Sequence, residues 1–166
     1  MPIAQPAAIE RREPVWLSVM AVAGLMALSA AVKLPLPFSP VPVTLQTFAA
    51  LVIAYLVGPH RATAGIAAYT ALGMVGAPLF AVAGGATAGY LAAFIAVPYV
   101  VTRFRRPLVG MVAAMACIYA LGAGWLVAAL GMTPAQALAL GIVPFLPGDA
   151  LKLTAAYGVA RRLPRH

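Results

Sequence analysis

Apolar residues fall into long runs along this chain, separated by short clusters of proline, glycine and basic residues, and the alternation predicts a series of membrane-crossing helices. The runs cover 15–32, 43–57, 62–79, 90 to the basic cluster at 103–106, 108–130, and a broken stretch over 135–163. The fifth is the clearest, since about 23 residues at about 1.5 Å each exceed the roughly 30 Å of a bilayer's hydrocarbon core. Trp125, toward its far end, suits an interfacial anchor. The second run is short and starts with Thr44, Gln46 and Thr47, so its polar end is expected to face protein.

The breakers are as informative as the runs. Four prolines within 33–42 exclude regular helix and predict an ordered loop or cap on one side of the membrane. Gly58, Pro59, His60 and Arg61 predict a tight basic turn, with His60 solvated there, and Gly73, Gly76 and Pro78 end the third run. Gly131 to Pro134 turns the chain again. In the last stretch Gly141, Pro144, Pro147 and Gly148 rule out one straight helix. A short helix, a break and a sixth helix beginning near Asp149 are expected instead.

Composition sets the compartment. The 166 residues are 64% hydrophobic and 8% charged, against about a quarter charged in soluble proteins, and the mean hydropathy is +0.99. The expected fold is therefore an all-α integral membrane protein, one bundle of six transmembrane helices over residues 15–163, with solvated tails at 1–14 and 164–166. A signal peptide competes for the first run, because Arg11 and Arg12, an apolar stretch and Ala27-Leu28-Ser29-Ala30 resemble its three parts; the further spans argue for a membrane helix. Ala23, Ala27 and Ala31 recur every four residues in this run. Such a stripe permits close approach of another helix, and abundant alanine explains it equally well.

A net charge of +8 suggests nucleic acid in a soluble protein, but the basic residues sit in short loops between apolar runs and no recognition motif is present. Nucleic acid is accordingly excluded as a partner, and the lipid bilayer takes its place. Six spans alternate the loops so that nine of the 11 basic residues fall on one side, and only Lys33 and Lys152 on the other. By the positive-inside rule both termini are cytoplasmic. Lys33, Gln46, Asp149, Lys152 and the glycine-containing 83–89 loop then gather at the outward face. The single cysteine, Cys117, cannot form an intrachain disulfide, and His60 lacks the companions a metal site needs.

One stretch carries chemistry: Pro144-Phe145-Leu146-Pro147-Gly148-Asp149-Ala150-Leu151-Lys152. With Asp149 opening a helix, Lys152 projects from nearly the same face. Charges at the break of a discontinuous membrane helix mark a substrate or ion site, because the helix start supplies free amides and a positive dipole end. A helix cap plus a snorkelling lysine accounts for the pair equally well. A small ligand with an acid at one end and amide-like donors at the other satisfies both side chains.

Pro40-Val41-Pro42-Val43-Thr44-Leu45-Gln46-Thr47, the Gly58-Pro59 turn, Tyr69 through Gly76-Ala77-Pro78-Leu79-Phe80, Gly89-Tyr90, and the 144–152 stretch resemble, in that order, the BioY family, the biotin-binding S components of energy-coupling factor transporters. The resemblance implies an S-component-like bundle in the cytoplasmic membrane, a biotin pocket open to the outside, biotin as transported ligand rather than cofactor, and no catalysis. It gives Asp149 and Lys152 biotin contacts; the chemistry of the two side chains, not the resemblance, puts Lys152 at the valerate carboxylate and Asp149 at the ureido N–H groups. Tyr90, Thr44 and Gln46 join them as pocket candidates. It also implies a transmembrane coupling protein driven by two ABC-type ATPases, docked on the Ala23, Ala27 and Ala31 stripe. The 83–89 loop is shorter than the family's and the chain lacks asparagine, so any ligand contact made by one is replaced. Alternatives are another vitamin or small carboxylate on the same scaffold, and ion or proton translocation through Asp149. An enzyme finds no nucleophile with a plausible base partner.

Overall fold

Helices α1 (Val15–Ala31), α2 (Gln46–Val57), α3 (Pro59–Met74), α4 (Ala88–Arg103), α5 (Pro107–Leu130), α6 (Pro134–Gly141) and α7 (Leu146–Arg162) build the computed structural model, which describes residues 14–76 and 85–163. The expectations for the two tails, for the end of the third run beyond residue 76 and for 83–84 of the small loop lie outside the described residues. Because α6 and α7 form one broken segment, six helical segments result, as the apolar runs require. Three of them, 85–103, 107–130 and 134–162, are long and apolar enough to cross a membrane, while α1 and α2 are shorter apolar helices.

Turns of one to three residues reverse the chain. Gly58, at φ 84°, ends α2, and Pro59 opens α3 directly, its fixed φ and missing N–H suiting a first helical position. Gly131, at φ 67°, ends α5 in the left-handed conformation. Thr133 and Gln136 then form a reciprocal capping box on α6. The 33–42 segment is an ordered cap, as its prolines demand. It is closed at its base by a two-residue antiparallel hairpin, β1 (Lys33–Leu34) with β2 (Val43–Thr44), in which Lys33 pairs with Thr44. Ser39 ties its tip to α6 by donating from Oγ to the Leu140 carbonyl at 2.7 Å.

Small residues let the helices approach. A side chain at Gly65 would run into Val22 of α1, one at Gly110 into the Val101 backbone of α4, and one at Gly122 into the Tyr90 ring. In lipid, where apolar burial between helices gains little, this close packing is a main source of cohesion. It also accounts for the alanine stripe. Ala23 and Ala27 are 1% and 9% exposed, buried on the side of α1 that meets α2 and α3; Ala31 alone is exposed. At Ala23 and Ala27 the stripe packs against this chain's own helices.

His60 is exposed, as expected, and lies in the first turn of α3 directly after the Gly58 turn, its Nδ1 3.1 Å from the Tyr99 hydroxyl and the two rings edge to face. One further expectation is corrected. Asp149 does not open the last helix. That helix starts at Leu146, with Pro147 and Gly148 in its first turn, because proline is tolerated where the backbone N–H has no intrahelical partner.

Candidate functional site

Helices α1, α3 and α4 are bound at one end by Arg61, whose guanidinium donates to Ser18 Oγ at 3.4 Å, and by the His60–Tyr99 contact. Arg103 ends α4, Arg105 and Arg106 lie in the turn that follows it, and Arg161 and Arg162 end α7. Toward the other end, beneath the 33–44 cap, lies a cavity of about 90 Å3. A single water needs about 10–15 Å3 of such space, so the cavity suits a small organic molecule rather than one water.

The sequence candidates converge on it. Thr44, Gln46, Tyr90, Asp149 and Lys152 all line the cavity, together with Lys33, Thr47, Tyr69 and Tyr119, and with apolar walls from Leu91, Phe94, Ile118 and Phe145. A few polar groups among apolar and aromatic ones is the make-up of a small-molecule site. The cap forms one side of the cavity through Lys33, Val41, Pro42 and Thr44, and the segment after the α6–α7 break forms another side, its floor, through Phe145, Asp149 and Lys152.

Asp149 is 5% exposed, yet both carboxylate oxygens are satisfied. Lys152 Nζ donates to Oδ1 at 2.7 Å, and the Tyr119 hydroxyl donates to Oδ2 at 2.8 Å. The i,i+3 spacing inside α7 makes the ion pair inevitable once both side chains turn inward. The ammonium and the carboxylate, 2.7 Å apart, therefore act as one spot in the cavity wall.

A second polar chain also lines the cavity. Thr44 Oγ1 donates to Gln46 Oε1 at 3.1 Å, and Gln46 Nε2 donates to the Tyr69 hydroxyl at 2.9 Å. Gln46 and Tyr69 are buried, which makes this wall fixed rather than adaptable. Tyr90 presents its ring to the cavity but spends its hydroxyl on the Gly141 carbonyl at 2.7 Å, tying α4 to the end of α6. Sequence reasoning missed Tyr119 as a site residue. Its signal was present: it is the sole hydroxyl in the 108–130 run. Among the described residues no group of three or more His, Cys, Asp or Glu side chains is placed to hold a metal ion.

A helical bundle with one partly polar cavity under a proline-rich cap, and a satisfied ion pair in its floor, defines a multi-pass membrane protein that binds a small solute. The chain belongs to the BioY family, which it matches over residues 7–166. It is 35% identical over 144 residues to the biotin transporter BioY of Thermotoga maritima, covering 78% of this chain and 85% of that one. It is 31% identical over 148 residues to the probable biotin transporter BioY of Pyrococcus horikoshii, covering 81% and 88%. Its fold is that of a solved S-component for biotin from an ECF-type ABC transporter, with a TM-score of 0.76 and 21% identity over 89% of each chain.

Proposed function

We propose that this chain captures biotin from outside the cell and delivers it across the cytoplasmic membrane as the substrate-binding subunit of an ECF-type transporter. The observation that carries this reading is the cavity in a BioY-family fold whose floor holds Asp149, Lys152 and Tyr119 in one hydrogen-bonded cluster. A ureido group offers two N–H donors and one carbonyl acceptor, and the cluster offers a carboxylate beside an ammonium and a phenol. Each ligand group therefore has a complement, and apolar walls receive the thioether ring and methylenes. Thr44, Gln46 and Tyr90 complete the site, the last through its ring. The protein acts by binding and carrying, without catalysis.

The basic residues gathered at the end away from the cavity support a cytoplasmic placement of that end, with the tails 1–14 and 164–166 flanking the membrane domain there. Energy for uptake comes from a transmembrane coupling protein and two ABC-type ATPases. Of the alanine stripe, only Ala31 stands on the surface to meet such a partner.

Purified protein titrated with biotin is expected to show saturable binding and a raised unfolding temperature. Binding of an unrelated vitamin in its place, or no binding of biotin, overturns the assignment. Uptake in cells with and without the coupling module decides the partners.

A further inference from the structure

Among the described residues three charged side chains line the cavity, Lys33, Asp149 and Lys152. Two of them cancel: Lys152 and Asp149 form a 2.7 Å ion pair whose side chains are 13% and 6% exposed. Lys33 is left as the net charge. It stands on β1 of the hairpin that closes the base of the cap, it is exposed, and among the described residues it has no ion-pair or side-chain hydrogen-bonding partner. The cavity therefore carries a neutral ion pair in its floor and one uncompensated positive charge on the wall formed by the cap.

We infer that Lys33 is the anchor for the ligand's carboxylate, and that the Asp149–Lys152–Tyr119 cluster takes the uncharged polar head. The inference rests on the biotin reading and deepens it, since it orients the ligand with head inward and acid toward the cap. Placing the acid on Lys152 instead brings a second carboxylate against Asp149, which already holds that ammonium, and like charges so close repel strongly in a poorly solvated floor. At Lys33 the acid keeps much of its hydration and meets an unpaired cation. Backbone pairing of Lys33 with Thr44 fixes the anchor relative to the Thr44–Gln46–Tyr69 wall.

The test compares biotin with its neutral carboxamide, titrated by calorimetry against the unaltered chain, Lys33→Ala, Lys33→Arg and Lys152→Ala. The unaltered chain is expected to prefer the acid by about tenfold, the size of one partly exposed charge-assisted contact. Lys33→Ala abolishes the preference while binding the amide as before, and Lys33→Arg retains it. Lys152→Ala weakens acid and amide alike. Were Lys33→Ala to keep the full preference and Lys152→Ala to lose it, the acid sits in the floor and the proposal falls. If the unaltered chain binds neither compound, the biotin reading itself fails and this one with it. Binding of both compounds with no preference overturns the anchor alone.

Discussion

Tyr119 and Asp149, 30 residues apart on α5 and α7, are joined by a 2.8 Å hydrogen bond from the phenol to Oδ2, on the side of the carboxylate away from Lys152. The bond links the longest continuous helix to the broken one and leaves the carboxylate with a donor on each oxygen. In the proposed biotin site Asp149 is thereby preorganised, its carboxylate held in one orientation before any ligand arrives.

Tyr119→Phe is therefore expected to leave the fold intact and to weaken biotin binding by about 1–2 kcal/mol, the range for a hydrogen bond to a charged group. Calorimetry against the unaltered chain measures the loss. Unchanged affinity would show that Lys152 alone orients the carboxylate.

Removing either member of the ion pair exposes the other. Asp149→Asn leaves an ammonium 13% exposed without its counter-charge, and Lys152→Ala leaves the carboxylate held by Tyr119 alone. Each is expected to weaken biotin binding by about 1–3 kcal/mol and to lower thermal stability. The double replacement Asp149→Asn with Lys152→Met should recover stability without recovering binding. Recovery of both would make the pair purely structural.

Tyr90→Phe keeps the ring in the cavity wall and removes the bond to the Gly141 carbonyl. The expected cost is about 1 kcal/mol of stability, through the α4–α6 tie, with a smaller change in affinity than Tyr119→Phe produces. Thermal unfolding with and without biotin separates the two effects.

Gly110→Ala drives a methyl group into the Val101 backbone, which cannot swing aside as a side chain can. Overpacking of this kind costs about 1–3 kcal/mol, so a lowered unfolding temperature is expected. Ala27→Leu belongs to the same class of change, since Ala27 is 9% exposed inside the bundle. It tests packing, and Ala31→Leu is the replacement that tests docking.

For sidedness, Phe38→Cys in the exposed cap and Arg105→Cys in the α4–α5 turn give opposite expectations. An impermeant thiol reagent should label the first in intact cells and the second only after permeabilisation, with Cys117→Ala as background. The reverse pattern inverts the topology.

The sequence by itself determined the class of molecule, the positions of the helix breaks and the one charged pair in the last segment. These are local properties: hydropathy is summed over neighbouring residues, proline and glycine act where they stand, and i,i+3 spacing puts Asp149 and Lys152 on one face whatever surrounds them. The sequence also marked Thr44 and Gln46, as the polar start of a short apolar run and through the family pattern, and Tyr90 through the family pattern alone. Tertiary structure alone decided that Tyr119 reaches Asp149, that Tyr90 gives its hydroxyl to Gly141 and not to the cavity, that Ala23 and Ala27 face inward, and that Lys33 lines the cavity with no ion-pair partner among the described residues. Those outcomes depend on which helix faces span 30 to 100 residues of chain to meet. Small residues permit such an approach at many places, and only the assembled bundle selects among them.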